Sequence, residues 1–270
     1  MCDGVAGDLA HAIIELGYSF ELPTESGEPD SALLARGLAW MCVWCQPLPG
    51  MNTTPSTKRA PGGENLTISN KDPSAMWEQI RADKRIPRMT TKTGQIGFYE
   101  NLGCLADTPG MPEILGDYDF EIGPEDDPIV AARKVSDAVI LAFGATKFAD
   151  FFVLHLATGM RAVESTLPWL DDPELQWRMV RAFWKVCVFV YVCRGAPSTE
   201  NSAEYMSTEG LRSWDEIVEA VLAQTDSHLA KLVFLSRDFF FGAAKGNVAY
   251  QVMADRATRY MEAGRFWVQS

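Results

Sequence analysis

The sequence has little positive charge and no long apolar run. Acidic residues outnumber basic ones by 36 to 24, and the net charge of −12 disfavours partners that need a basic surface, namely nucleic acids and anionic membranes. The apolar stretch at residues 183–193 is far shorter than the roughly 18 residues of a membrane-spanning helix. The N-terminus shows no signal peptide pattern. We therefore expect a cytoplasmic protein that binds neither nucleic acid nor membranes.

The motifs of several common enzyme classes are also missing. The chain contains no GxSxG, P-loop, HExxH or GxGxxG, which removes support for the usual hydrolase, nucleotide-binding, zinc-protease and Rossmann readings. Cys42 and Cys45 form a CxxC, but no second CxxC and no nearby histidine completes a zinc site. We expect these cysteines to be buried thiols in a reducing compartment.

The pattern that is present is helical. Apolar residues recur every three or four positions, and no Asn-Gly or Asp-Gly hairpin signal accompanies the valine-rich stretches. The chain is therefore predicted to be all-α, a single-domain bundle of about nine or ten helices spanning residues 1–270. Ser31 and Asp72 are predicted N-caps. Residues 47–73 are rich in Pro, Gly, Thr and Asn without any period, which predicts one long flexible loop.

Histidine is scarce: the chain has three, His11, His155 and His228, each in a stretch that is predicted to be helical. Glu15 lies four positions after His11, and residues so spaced share a helix face. Two or three neutral imidazoles and a carboxylate suit Fe(II) in a facial arrangement with open positions for oxygen. None of the histidines has Glu three positions before it, so a ferritin-type di-iron site is not expected. The alternative is that each is an ordinary core or surface histidine.

Two cationic residues accompany the later histidines. Lys231 lies three positions after His228, where it is a candidate general acid or base once desolvated, or else a solvated residue on an exposed face. Arg161 follows His155 by six positions and could pair with Glu164 on its own helix. We take Lys231 and Arg161 as candidate catalytic residues.

Several segments, in this order, resemble the questin oxidase-like family: HAIIELGYSFE, the stretch from His155 to Trp184, VCRGAP at residues 192–197, and DSHLAKLV at residues 226–233. Residues 72–86 are also similar to a family segment. The resemblance implies an all-α oxidoreductase that oxygenates a small aromatic molecule, an aromatic polyketide of secondary metabolism. Members are described as NADPH-dependent monooxygenases of the Baeyer–Villiger type or as iron enzymes with histidine ligands. Iron and NADPH are thus the implied cofactors.

The chain also departs from the family pattern. Glu15 and Arg161 stand where the pattern has histidines, and a preceding N-terminal region with a further histidine is missing. His11, His155 and His228 match the pattern, which implies that they are iron ligands, with Glu15 as a possible replacement ligand. A protonated Arg cannot bind a metal. We therefore expect a diverged or truncated member, either an oxygenase with altered chemistry or a degenerate helical protein that binds an aromatic ligand or a protein partner.

Overall fold

A computed structural model describes residues 10–21, 27–43, 72–89, 98–119, 126–200, 202–242 and 244–268. Most of the predicted flexible loop, residues 47–71, lies outside these ranges, as do Cys2 and Cys45. Within them the chain is all-α, as predicted, and contains no strand, apart from an isolated bridge between Asp150 and Val268. None of the described helices is long and apolar enough to cross a bilayer.

Eleven of the described helices are six residues or longer, slightly more than predicted, and α9 has four residues. A 3₁₀ turn, Leu167–Trp169, follows α7. The helices are α1 His11–Glu21, α2 Ser31–Val43, α3 Pro73–Ala82, α4 Phe98–Asp107, α5 Met111–Gly116, α6 Pro128–Ala145, α7 Phe151–Thr166, α8 Pro173–Cys193, α9 Ser202–Tyr205, α10 Trp214–Leu222, α11 Ser227–Phe241 and α12 Val248–Glu262.

Aspartate side chains start many of these helices. Asp72, Asp150 and Asp226 each accept hydrogen bonds from backbone N–H groups of the first turn, which would otherwise lack partners. The predicted cap at Asp72 is confirmed. At α2 the prediction was one residue late: Oδ1 of Asp30 accepts from the N–H groups of residues 32 and 33, and Ser31 is the first helical residue.

The core surrounds α7 and α8. Nearly every residue of α7 is buried, which is the pattern of a helix enclosed on all sides. Large aromatic side chains fill the space beside α8, among them Trp77, Phe183, Trp184 and Tyr191. Helix α1 packs against both α2 and α7, and α11 packs against α7 and α12. The elements that carry the three histidines are therefore neighbours in space.

Small residues let α1 approach α7 closely. A Cβ atom added to Gly17 would lie 2.5 Å from Cβ of Ala162, closer than real Cβ contacts come. A Cβ at Gly37 of α2 would likewise lie 2.7 Å from backbone atoms of Leu16. Helix α1 is thus wedged between two neighbours at backbone contact distance, and this spacing sets where His11 can reach.

The expected burial of the CxxC motif is wrong at Cys42. Its thiol is exposed, as is that of Cys104, whereas Cys187 and Cys193 are buried. Helix α2 turns Gly37 and Met41 inward, which places Cys42 on the outer side. Burial raises the pKa of the Cys193 thiol to about 12, so this cysteine stays protonated.

Candidate metal centre

Three helices bring all the histidines of the chain to one place. His11 is the first residue of α1, His228 is the second residue of α11, and His155 lies one turn into α7. One ring nitrogen from each comes within 4.8 Å of the other two. The prediction that the three imidazoles converge is confirmed. Because the residues are far apart in sequence, only packing of α1 and α11 against α7 creates this cluster.

His155 is the buried member, with 2 % of its surface exposed. Its Nδ1 lies 2.7 Å from the carbonyl oxygen of Phe151 and must donate to it, since a carbonyl can only accept. The second ring nitrogen, Nε2, therefore carries no proton, and its lone pair can bind a metal. Burial, with smaller contributions from His11, His228 and Lys231, lowers the pKa of His155 to about 3, against the effect of the hydrogen bond to Phe151. At neutral pH the side chain is an oriented, uncharged ligand.

His228 lies near a carboxylate. Its Nδ1 is 3.8 Å from Oδ1 of Asp226, the residue that caps α11. The same oxygen accepts hydrogen bonds from Nε1 of Trp267 and the N–H of Leu229, at 3.1 and 2.8 Å. Burial lowers the pKa of His228, and Asp226 opposes that shift. At 3.8 Å the carboxylate of Asp226 is close to the ring but beyond hydrogen-bond distance.

Aromatic rings enclose the cluster. The His11 ring is parallel to that of Trp40, with an interplanar angle of 9° and centroids 6.2 Å apart. The ring of Phe151 meets both His155 and His228 edge to face, at 4.5 and 4.9 Å between centroids. Phe151 thus packs against two of the three imidazoles, and Trp40 lies beside the third.

The donor set fits a divalent transition metal. An ion bound at about 2.1 Å holds its ligand nitrogens roughly 3.0–3.4 Å apart, in octahedral or tetrahedral geometry, so nitrogens up to 4.8 Å apart would have to approach by about 1.4–1.8 Å. Side-chain rotation can supply this. Within the described ranges no Asp, Glu or Cys joins the group. Three protein ligands leave coordination positions open for other molecules.

Glu15, the predicted additional ligand, is placed elsewhere. Its carboxylate forms an ion pair with Arg36 of α2 and is not among the grouped ligand atoms. Glu15 does lie on the same face of α1 as His11, because it follows four positions later. Helix α1 packs against both α2 and α7, however, and the Glu15 carboxylate pairs with Arg36 on α2. The structure thus gives Glu15 a role in joining α1 to α2.

The family of the chain follows from comparison with models of known protein families. The model of the family described as questin oxidase-like matches residues 1–234, most of the chain. The chain belongs to the questin oxidase-like family. No curated protein matches it. The matched region contains the three histidines, Arg161 and Lys231, and ends within α11.

In this family member Arg161 does not face the histidines as an unpaired charge. Its Nε lies 3.0 Å from Oε1 of Glu21 and its Nη2 lies 2.7 Å from Oδ2 of Asp238, while Phe239 stacks below the guanidinium. The suggested partner Glu164 instead accepts a hydrogen bond from the hydroxyl of Ser136. Burial raises the pKa of Glu164 to about 7.

A small pocket, with a cavity volume of about 10 Å³, lies one helical turn from the cluster, and its lining follows a simple rule. The residue three positions after each histidine lines it, and so does the residue seven positions after. These six are Ile14, Thr158, Lys231, Tyr18, Ala162 and Leu235. The residues three positions after the histidines lie together, and so do those seven positions after. Helices α1, α7 and α11 therefore run in the same direction here. With a rise of about 1.5 Å per residue, the pocket begins roughly 4.5 Å along the helices from the histidines.

The pocket has charged and polar groups at its sides. Lys231 is half-buried, and its ammonium nitrogen lies 5.9 Å from the centre of the Tyr18 ring. Burial, with Glu21 nearby, raises the pKa of Tyr18 to about 12, so its hydroxyl keeps its proton. Burial also raises the pKa of Glu21, against the effects of Arg161 and Ser165.

Sequence reasoning missed several residues of this region. Asp226 was visible as a cap two residues before His228, and Tyr18 and Leu235 could have been found by extending the helical spacing from His11 and His228. Glu21 and Asp238, in contrast, reach Arg161 from two other helices, and no local spacing signals such pairs. Phe151 had no signal beyond its position one turn before His155.

Proposed function

We propose that this family member is an oxygenase-type oxidoreductase that acts with O2 on an apolar aromatic substrate, with iron held by His11, His155 and His228. The observation that supports this most directly is the cluster itself: three imidazole nitrogens within 4.8 Å of one another beside a pocket. Neutral imidazoles whose remaining nitrogens are held, as in His155, are the form of histidine that binds metals.

The choice of iron rests on the reaction. The donor set alone also suits zinc, but zinc has no redox chemistry. The facial site of non-haem iron oxygenases has two histidines and a carboxylate, and among the described residues a third histidine stands in place of that carboxylate. When bound, Fe(II) supplies the electrons that activate O2. The chain contributes the three imidazoles, the orientation of His155 by the carbonyl of Phe151, and the aromatic rings beside the site.

The two predicted catalytic residues receive different proposed roles. Lys231 lines the pocket one turn from His228, so we assign it the direct contact with the substrate. Arg161 is held by Glu21 and Asp238, and we assign it the positioning of the pocket wall. The case for a degenerate site included the replacement of two family histidines by Glu15 and Arg161. Both residues have other partners, so the proposal is an active enzyme.

The decisive experiment measures iron in protein loaded anaerobically with Fe(II). The purification tag must contain no histidine, because the chain itself has only three. We expect about one iron per chain, and loss of binding when His155 is replaced by Ala. Asp171→Asn, a change in an exposed carboxylate, is the matched control and should keep the metal. Wild-type protein that binds no iron would refute the proposal.

Turnover is then followed as oxygen consumption with a phenolic anthraquinone, with and without NADPH as the proposed electron donor. We expect consumption that requires both iron and the aromatic compound, and that stops in His155→Ala. Iron-loaded protein that consumes no oxygen with aromatic polyketides under either condition would leave a metal-binding protein and contradict the oxygenase assignment.

A further inference from the structure

We propose that residues 265–268, which we call the strap, position the histidine cluster, and that Trp267 and Val268 hold the helix ends from which His155 and His228 project. As an assignment to a metal centre this rests on the proposed function, whereas the positioning of the two imidazoles does not need the metal.

The strap begins at a left-handed glycine that follows α12. Gly264 has a φ of 70°, a conformation that ends many helices, and its N–H donates to a carbonyl of the last helical turn. The strap then reaches the start of α7, where Val268 forms the isolated parallel bridge with Asp150. Trp267 is buried, whereas Phe266 beside it has 82 % of its surface exposed. The strap is therefore docked through the indole of Trp267 and the backbone of Val268.

The first contact of the strap is with the start of α7. The N–H of Val268 donates to the carbonyl of Ala149 at 2.8 Å, and the carbonyl of Val268 accepts from the N–H of Phe151 at 3.0 Å. The carbonyl of Phe151 in turn accepts the hydrogen bond from Nδ1 of His155. The Phe151 ring also packs against both His155 and His228. One residue thus links the strap to two of the three imidazoles.

The second contact is with the start of α11. Nε1 of Trp267 donates to Oδ1 of Asp226 at 3.1 Å, and the same oxygen caps α11 by accepting from the N–H of Leu229. His228 follows Asp226 by two residues, and its Nδ1 lies 3.8 Å from this oxygen. Neighbouring residues of the strap therefore tie the first turns of α7 and α11 to each other.

This connection lies where a small displacement matters. The ring nitrogens are up to 4.8 Å apart, and a bound ion must draw them to roughly 3.0–3.4 Å, so the helix ends have to stay close together. Residues behind metal ligands commonly change metal affinity by about 10–100-fold when they are substituted. The strap reaches His155 through Phe151, and it reaches His228 through Phe151 and Asp226.

Titration with cobalt(II) under anaerobic conditions tests the proposal, because the visible absorption of the bound ion reports its ligand arrangement without any turnover. Trp267→Phe keeps an aromatic ring but removes the indole N–H that Asp226 accepts. Val268→Pro removes the N–H that donates to Ala149. We expect each variant to bind cobalt at least about fivefold more weakly than the wild type and to shift its absorption bands.

Three control variants separate positioning from other effects. Phe266→Ala changes the exposed ring of the same strap, and Val268→Ala shortens the side chain but keeps the backbone N–H. Trp77→Phe removes a comparable indole hydrogen bond in the core, 2.8 Å long, to the carbonyl of Ala138. It should lower the melting temperature but leave cobalt affinity unchanged. Circular dichroism melting establishes that each variant is folded; should Val268→Pro not fold, Trp267→Phe decides.

A metal-free measurement keeps this inference separate from the proposed function. In the apo protein, proton NMR follows how fast the Nδ1 proton of His155 exchanges with water, which is slow while the hydrogen bond to Phe151 is held. We expect faster exchange in Trp267→Phe and Val268→Pro, and not in the controls. Weaker cobalt binding or faster exchange in either strap variant, with the controls unchanged, supports the proposal.

The opposite result is equally clear. Unchanged cobalt binding together with unchanged exchange in both strap variants, or equal changes in the control variants, would overturn the proposal. Faster exchange in strap variants of a protein that takes up no metal would support this inference while refuting the oxygenase.

Discussion

At the scale of single residues, the structure makes His155 the most sensitive member of the cluster. It is buried, its Nδ1 is committed to the carbonyl of Phe151, and its pKa is lowered to about 3 by burial. In the unfolded chain a histidine has a pKa of about 6.5. Above pH 6.5 the ring is neutral in the folded and the unfolded state, so its protonation does not affect stability. As pH falls from 6.5 towards 3, the unfolded state takes up a proton that the folded state does not, and stability falls.

This predicts a specific pH dependence. Between pH 7 and pH 5 the wild type should lose about 2 kcal/mol of unfolding free energy more than His155→Gln, which has no ionisable group at this position. Urea denaturation of both proteins at pH 7 and pH 5, in the presence of a chelator, measures how much unfolding free energy each protein loses. Parallel losses in wild type and variant would show that His155 titrates normally and is not buried as described.

Glu15 offers a contrasting prediction. Because its carboxylate pairs with Arg36, Glu15→Gln should leave the iron content unchanged and reduce stability by no more than about 1 kcal/mol, the usual value of a partly exposed ion pair. Metal analysis beside the His155→Ala variant supplies the comparison. A loss of iron in Glu15→Gln would mean that the carboxylate turns to the metal after all.

At the scale of helices, the contact between α1 and α7 controls the metal site. A methyl group at Gly17 would collide with Ala162, whose backbone cannot move out of the way. We expect Gly17→Ala to destabilise the protein by about 1–3 kcal/mol, as overpacking does, and to weaken iron binding by shifting His11. Thermal denaturation and metal titration measure the two effects.

Two further variants make this test specific. Gly103→Ala in α4 adds the same methyl group where nothing lies within 4 Å, and should stabilise slightly, by up to about 1 kcal/mol, because Ala favours helices. The double variant Gly17→Ala with Ala162→Gly removes the contact with Cβ of residue 162 but keeps the 2.7 Å contact with its Cα, and should recover only part of the iron affinity. If Gly17→Ala binds iron as well as the wild type, the spacing of α1 and α7 does not govern the site.

How much of this could be predicted differs between elements. Helices α7, α8, α11 and α12 follow from apolar period and capping residues, which are local, and the prediction placed them within a few residues. Convergence of the histidines followed from their helical contexts and the family resemblance. The partners of Glu15 and Arg161 could not be predicted, since spacing along one helix does not tell which neighbouring helix supplies the opposite charge.

At the scale of the whole molecule, metal binding should stabilise the fold. A ligand that binds only the folded chain adds about 2.7 kcal/mol at a concentration 100 times its dissociation constant. We expect the melting temperature to rise with Fe(II), to fall again with a chelator, and to be unaffected by either in His155→Ala. Differential scanning calorimetry under anaerobic conditions measures this. An equal rise in the variant would place the bound metal elsewhere.

The distance in sequence between the histidines has a consequence for biosynthesis. His228 follows His11 by more than 200 residues, so at typical rates of 5–20 residues per second a ribosome needs roughly 10–40 s to make the chain between them. The first ligand is synthesised almost at once and then lacks its last partner until α11 has emerged and packed against α7. Iron insertion is thus a late event of maturation, and a nascent chain interrupted before α11 leaves the ribosome without a complete site.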